Sequence, residues 1–267
     1  MTNRPPYVAG HFYPAQKEKL LRFLTGVLEV KAPKIQAKAV MVPHAGYVYS
    51  GPTAAKTYAR IDIPRTVFLI GPNHTGVGQP FSLMARGTWQ TPLGQVSIHE
   101  ELASSLLSCP FLEEDEEAHR YEHALEVQLP FLQYLRPDVR IVPLSVGTHE
   151  LKQLKEAGQT AGKVLAQFGE PVLIVISSDM NHYENEETTQ KKDQIALSAL
   201  LKLSEAEFAS AIKRHAVSMC GFAPTYMALV AFEFLGVKRA ELVEHTTSGK
   251  VSGDYDRVVG YAGVLFE

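Results

Sequence analysis

The sequence contains few cysteines and no long apolar run, and each shortage excludes a class of protein. Only two cysteines, Cys109 and Cys220, occur among 267 residues, which is too few for a disulfide scaffold and typical of a reducing compartment. No run of about 18 apolar residues is present to span a membrane. The first residues, MTNRPPYVAGHFYP, lack the basic and apolar segments of a signal peptide. We therefore expect a cytoplasmic protein that does not enter a membrane.

The chain also lacks an excess of charge of either sign. It has 26 lysines and arginines against 29 aspartates and glutamates, a formal net charge of −3. This balance gives no basic surface for nucleic acid or for an anionic membrane, so neither is expected as a partner. With 45% hydrophobic residues the chain is long enough to bury a substantial core. Since no linker, repeat or low-complexity segment interrupts it, we predict one domain over residues 1–267.

Three short apolar runs share one pattern. Each is rich in β-branched residues, is bounded by Gly, Pro or Ser, and is followed by side chains that bind metals or carry protons. The runs, each given with the side chains that follow it in the sequence, are Ala39–Val42 with His44, Val67–Ile70 with His74, and Val172–Ile176 with Asp179 and His182. Continuous β-branched runs of this length predict fully buried parallel strands. Because ligands of open α/β sheets bind outside the carboxyl ends of the strands, we expect these side chains to form one site.

The remaining pattern predicts an α/β fold with a central, mainly parallel or mixed sheet flanked by helices. Apolar spacing predicts helices, proline and glycine predict loops, and two late β-rich segments predict the last strands. The predicted elements are helices at Gln16–Val30, Gly51–Arg60 and Tyr121–Leu135 (kinked at Pro130), a loop at Thr88–Gly94, and strands at Ala240–Thr247 and Val258–Phe266.

The residue types at the predicted strand ends favour a mononuclear metal site. Two imidazoles with a carboxylate and open positions are typical of non-haem iron(II), whereas two imidazoles with a thiolate suit zinc, iron or copper. Cys220 can supply that thiolate, because it precedes an inferred helix start whose dipole lowers a thiol pKa. It can equally be a small apolar residue of the core. His123 can reach the site from a helix start, or simply be part of a polar helix end.

Other site chemistries fit the sequence less well. Ser177 and Ser178 end a strand beside Asp179, as in a Ser–His–Asp hydrolase, but the G-x-S-x-G nucleophile elbow is absent. The segment GPNHTGVG lacks the Lys-Ser/Thr pair of a phosphate-binding P-loop and does not read G-x-G-x-x-G.

Five collinear motifs together resemble the Memo protein family. They are PHAGYVYSG at 43–51, GPNHTG at 71–76, EHALEVQLPFLQ at 122–133, SSDMNHY at 177–183 and CG at 220–221. Bacterial and archaeal members are similar to the second component, protein B, of a set (AmmeMemoRadiSam) that also contains a radical-SAM protein and an AMMECR-type protein. The family is similar in fold to class III extradiol ring-cleaving dioxygenases, which are α/β proteins with non-haem iron.

The resemblance implies roles for individual residues. His44, His74 and Cys220 match the family's metal-binding positions, with Fe(II) as the first candidate and zinc or copper as alternatives. Asp179 and His182 match adjacent pocket positions, and His123 lies near them. Extradiol dioxygenases use a glutamate where this chain has a cysteine, so ring cleavage does not follow from the fold.

Two functions remain open at this point. The first is a non-haem iron redox enzyme, similar to a dioxygenase, in which Asp179 or His182 orients a ligand or carries a proton. The second is a non-catalytic binding module for a peptide, a small molecule, or a radical-SAM or AMMECR-type partner. In that case aromatic side chains are expected to line the pocket, and the candidates are Tyr47, Tyr49, Trp89 and Tyr183.

Overall fold

The computed structural model describes residues 3–28 and 33–267. Within those residues one mixed sheet of twelve strands is flanked by helices. The strands are β1 (Asn3–Arg4), β2 (Ala39–Val42), β3 (Thr66–Pro72), β4 (Phe81–Leu83), β5 (Thr88–Thr91), β6 (Gly94–Ile98), β7 (Glu113–Glu114), β8 (Arg140–Val146), β9 (Val172–Ser177), β10 (His182–Glu184), β11 (Ala240–Thr247) and β12 (Val258–Phe266). The α-helices are α1 (Lys17–Val27), α2 (Tyr47–Tyr58), α3 (Glu100–Leu106), α4 (Glu117–Arg120), α5 (Leu129–Leu135), α6 (Leu151–Gln167), α7 (Glu186–Leu200), α8 (Glu205–His215), α9 (Phe222–Leu235) and α10 (Gly249–Ser252).

Four parallel strands in the order β8–β3–β9–β2 form the centre of the sheet. Their residues are almost entirely buried, as expected for parallel strands covered on both faces. β12 continues the sheet antiparallel to β2, and β11 and β10 pair with β12. The three predicted strands that precede the candidate site residues are therefore confirmed, and β3, β9 and β2 are direct neighbours.

Two sets of helices cover this sheet. α9 packs on β3 and β9, and α6 packs on α9; α2 packs on β2 and β12. The α6–α9 contact is close because α6 presents glycines to its partner. A Cβ added at Gly158 would lie 2.5 Å from the carbonyl oxygen of Met227. Glycine at this position therefore lets the two helices approach each other.

Two local predictions are wrong. The segment 121–125 is not helical; only a 3-10 turn at Glu126–Gln128 and then α5 follow, with Pro130 in the first turn of α5. The reason is that the Glu122 carboxylate accepts hydrogen bonds from the backbone N–H groups of His123 and Ala124, at 2.9 Å each. Such local side-chain contacts compete with the helix.

The predicted loop at Thr88–Gly94 instead forms the hairpin β5–β6. Its alternating burial places Trp89 fully inside the core. The first helix ends earlier than predicted, at Val27, and positions 29 and 30 of that prediction lie outside the described residues. The second predicted helix begins earlier, at Tyr47. Along the described ranges, no helix combines the length and the apolar character needed to cross a membrane.

Candidate metal centre

Three imidazoles meet at the carboxyl ends of the central strands. His44 follows β2, His74 follows β3, and His123 comes from the loop before α5. Each offers one ring nitrogen, and the three nitrogens all lie within 4.8 Å of one another. The ring centroids of His44 and His74 are 5.1 Å apart, and those of His74 and His123 are 4.6 Å apart. The sequence predicts that His44 and His74 converge and that His123 can reach their site, and in the structure the three imidazoles form one cluster.

The orientation of the His44 ring is fixed by the serine at the end of β9. Ser177 Oγ lies 3.0 Å from His44 Nδ1, donates its single hydrogen to the carbonyl of Ala124 at 2.6 Å, and accepts one from Gln128. Since its only hydrogen is used, Ser177 accepts from His44, which places the His44 proton on Nδ1. The Nε2 lone pair then faces the site. Burial, followed by the nearby His74, lowers the pKa of His44 to about 3, so the ring is neutral at pH 7.

The His74 ring is held by a buried carboxylate. Glu122 Oε1 accepts a hydrogen bond from His74 Nδ1 at 2.9 Å, and Oε2 accepts one from the His74 backbone N–H at 2.5 Å. Burial by itself would raise the pKa of Glu122, but the hydrogen bonds and the neighbouring imidazoles outweigh it and lower the pKa to about 2. A carboxylate that fixes the tautomer of an imidazole in this way is common behind metal-ligating histidines.

His123 packs against an aromatic side chain. The ring of Phe12 packs against it with centroids 4.8 Å apart. Burial, followed by the neighbouring His44, lowers the pKa of His123 to about 4. His123 therefore presents a neutral imidazole at pH 7, as metal ligation requires.

Asp179 and Cys220 border the same His44 nitrogen. The Cys220 sulfur lies 3.2 Å from His44 Nε2, and Asp179 Oδ2 lies 4.0 Å from it. Asp179 Oδ1 accepts hydrogen bonds from the backbone N–H groups of His44 and Ala45, so this carboxylate also fixes the chain after β2. Cys220 does precede a helix, α9, as expected. Its predicted low thiol pKa is wrong, however, because burial and then the charge of Asp179 raise the pKa.

His182 lies beside the cluster rather than within it. Its Nδ1 donates to the carbonyl of Ser218 at 2.9 Å, and its backbone N–H donates to Ser218 Oγ. The four aromatic candidates lie in different places. Trp89 is fully buried, against the guanidinium of Arg4, and does not line the pocket. Tyr49 and Tyr183 are exposed, and Tyr47 borders a groove beside the site.

Nucleophilic hydrolysis does not fit this geometry. Ser177 is fully buried and its hydroxyl hydrogen is donated to a backbone carbonyl. Cys220 and His44 form a close pair, but the raised thiol pKa and the lowered imidazole pKa disfavour the thiolate–imidazolium form that a cysteine nucleophile needs.

The donor set does fit a transition metal. Neutral imidazoles with lone pairs directed inward suit zinc, copper and iron, and a thiol that binds a metal loses its proton on binding. His44, His74 and His123 form the cluster of potential ligands found among the described residues, with Cys220 next to His44. Sequence analysis missed the residues behind the ligands, namely Glu122, Ser177 as an orienting group, and Gln128. The one available signal was that Glu122 and Gln128 flank His123 within a single motif.

Comparison with known proteins shows the family of this chain. The family model for Memo-like proteins matches residues 4–265. The chain belongs to the Memo family. A MEMO1 family protein of Aquifex aeolicus is 45% identical over 270 residues, with 100% of each chain covered. Another from Methanopyrus kandleri is 40% identical over 278 residues, with 98% of each chain covered.

One solved structure shares the fold of this Memo-family chain at low sequence identity. The uncharacterized protein JW3007 from Escherichia coli K12 superimposes with a TM-score of 0.59 at 14% identity, covering 85% of this chain and 99% of that chain. This likeness concerns the arrangement of the α/β fold only.

Proposed function

We propose that this Memo-family protein binds one divalent transition metal ion at the ends of β2, β3 and β9 and uses it to oxidise a small molecule with dioxygen as the electron acceptor. His44 and His74 would be two ligands, and Cys220 would be the third. The observation that carries the proposal is the convergence of three imidazoles, whose ring nitrogens lie within 4.8 Å of one another, with the Cys220 sulfur 3.2 Å from His44 Nε2. Iron(II) is the first candidate and copper the redox-active alternative, whereas zinc would act only as a Lewis acid.

The third ligand has a competitor in His123. Its ring nitrogen lies within 4.8 Å of those of His44 and His74, whereas the sulfur of Cys220 is close to His44. The two choices differ chemically, because a thiolate donates more charge to the metal than an imidazole does. When bound, the metal would polarise or exchange electrons with a substrate at an open position. Asp179 and His182 would orient that substrate or hold a proton beside it.

Elemental analysis of protein purified without oxygen or chelator tests metal binding. We expect about one equivalent of iron per chain, lost in His44→Ala. The matched control is His215→Ala, which removes an exposed histidine of α8. No metal in the wild type, and no uptake of added Fe(II), would reject the proposal. Equal metal content in His44→Ala would reject the site.

The visible spectrum of the cobalt(II)-substituted protein tests the third ligand. Thiolate ligation gives a sulfur-to-metal charge-transfer band, which Cys220→Ser should remove while His123→Ala retains it. Cys109→Ser, at a buried cysteine outside the site, is the control. A spectrum unchanged in Cys220→Ser but altered in His123→Ala would assign the third position to the imidazole.

A second candidate function is binding without catalysis. A groove of about 580 Å³ beside the site is lined by aromatic and apolar side chains of the loop 10–14 and the start of α2, including Val48, which is 63% exposed. Oxygen consumption by the Fe(II)-loaded protein with catechol-like substrates would favour the enzyme. Its absence, together with co-purification of a radical-SAM or AMMECR-type protein in a pull-down, would favour the binding module.

A further inference from the structure

One short segment forms hydrogen bonds that orient both strand-end imidazoles, directly at His74 and through Ser177 at His44. We call residues 122–128, EHALEVQ, the bracket segment. Its first residue, Glu122, contacts His74 directly. Its third and last residues, Ala124 and Gln128, both contact the hydroxyl of Ser177, which in turn contacts His44. The segment thus reaches two histidines that arise from different strands.

At His74 the bracket segment acts through a carboxylate. Glu122 is 1% exposed and accepts hydrogen bonds from four N–H groups, two of His74 and one each of His123 and Ala124. An ionised carboxylate can only accept. His74 Nδ1 is therefore the donor to Glu122, and Nε2 is the ring nitrogen that remains for a ligand.

At His44 the bracket segment acts through a relay. The carbonyl of Ala124 takes the hydroxyl hydrogen of Ser177, and the Gln128 amide donates to the same oxygen. The Gln128 amide also donates to the carbonyl of Pro43 at 2.9 Å, and its oxygen accepts from Tyr58 at 3.0 Å, so the amide cannot turn without losing contacts. Because the Ser177 hydroxyl donates its hydrogen to the carbonyl of Ala124, its oxygen can only accept a hydrogen bond from His44 Nδ1.

We infer that the bracket segment is a positioning element that sets the tautomers of both His44 and His74, with Nδ1 protonated and the Nε2 lone pair directed into the site. Glu122 does so for His74, and Ala124 and Gln128 do so for His44 through Ser177. This inference rests on the proposed function in one respect, namely that the two lone pairs serve a metal ion.

Two substitutions test the two halves separately, each with a matched control. Glu122→Gln places an amide donor next to His74. The control, Asp193→Asn, changes another fully buried carboxylate, which contacts His245 outside the site and no imidazole of the cluster. Ser177→Ala removes the acceptor of His44. Its control is Ser145→Ala. Ser145 is a fully buried serine of β8, and its hydroxyl has no hydrogen-bond partner among the described residues.

The measurement is long-range ¹H–¹⁵N NMR of metal-free protein labelled at histidine nitrogens, with signals assigned from His44→Gln and His74→Gln. The wild type should show protonated Nδ1 on both rings. Glu122→Gln should shift protonation at His74 only, and Ser177→Ala at His44 only, while both controls keep the wild-type pattern. The dissociation constant for Zn²⁺ should rise about 10–100-fold in each test variant. Thermal midpoints of all four variants report folding independently.

The outcomes separate this inference from the proposed function. Protonated Nε2 on both wild-type rings, or test variants whose tautomers and Zn²⁺ dissociation constants match those of the controls, would overturn the positioning role. The expected tautomers and shifts without any Zn²⁺ binding would support the positioning role and reject the metal function. If Glu122→Gln does not fold, Ser177→Ala still tests the relay.

Discussion

Arg4 anchors the N-terminal segment to the loop that carries His123. Its side chain is 4% exposed, and Nη1 lies 2.7 Å from the Glu126 carboxylate. Nε donates to the carbonyl of His119 at 2.6 Å, and Nη2 donates to the carbonyl of Glu122 at 2.7 Å. Because Phe12 of the same N-terminal segment packs on His123, this anchor connects folding stability to the candidate site.

We expect Arg4→Leu to be strongly destabilising. The substitution leaves the fully buried Glu126 carboxylate without its counter-charge, and breaking a buried ion pair on one side costs about 3–5 kcal/mol. At roughly 2–4 °C per kcal/mol, the thermal midpoint should fall by about 6–20 °C. Arg86→Leu is the control, because its ion pair with Glu114 is exposed, with Arg86 at 64%, and exposed ion pairs contribute little to stability.

Urea denaturation followed by circular dichroism measures both free energies of unfolding. The expected result is a loss in Arg4→Leu at least three times that in Arg86→Leu. A loss below about 1 kcal/mol in Arg4→Leu would refute the reasoning, because the carboxylate would then not depend on the guanidinium for its burial.

Three further predictions follow from the packing and from the pKa shifts. Gly158→Ala should destabilise the protein by about 1–3 kcal/mol, because the added Cβ would lie 2.5 Å from a backbone oxygen of α9. Gly169→Ala, which has open space around it, should not destabilise the protein. Equal losses of unfolding free energy for both variants in urea denaturation would contradict this. In the folded protein the pKa values of His44 and His123 are lowered to about 3 and 4, so the unfolded chain binds more protons below pH 6.5. As the pH falls from 6.5 to 4, the free energy of unfolding of metal-free protein should therefore decrease by about 1.4 kcal/mol per pH unit for each histidine. A free energy of unfolding that does not change over that range would contradict the lowered pKa values. Because burial raises the pKa of Cys220, metal binding through its thiolate releases a proton. Metal affinity of the wild type should therefore rise about tenfold per pH unit from pH 6 to 8, and this rise should be lost in Cys220→Ser. Equal pH dependence of the affinity in both proteins would show that the sulfur is not a ligand.

The part of the site that the sequence predicts depends on local pattern. β2, β3 and β9 are continuous apolar runs, so their position and the placement of His44 and His74 after them follow from periodicity alone. β11 and β12 also agree with their predicted bounds, because both are β-rich and separated by a polar loop. The five collinear motifs predict membership of the Memo family, and the match of the family model to residues 4–265 confirms it.

The remainder depends on contacts between distant residues. The helical apolar spacing of 121–135 failed at its start because the Glu122 carboxylate binds backbone N–H groups that a helix would use. The orienting role of Ser177 requires a carbonyl 53 positions away in the chain, and no local pattern reports such a contact. The raised thiol pKa of Cys220 likewise results from burial and from Asp179, whereas the sequence shows only the helix start that follows.

X-ray absorption at the zinc edge of protein loaded with one equivalent of Zn²⁺ measures directly which side chains surround the metal ion. We expect imidazole scattering at about 2.0–2.1 Å together with a sulfur shell at about 2.3 Å. We also expect His44→Ala to lose the bound zinc and Cys220→Ser to lose only the sulfur shell. A spectrum of oxygen ligands alone, unchanged in His44→Ala, would contradict the claim that the strand-end histidines hold a metal ion.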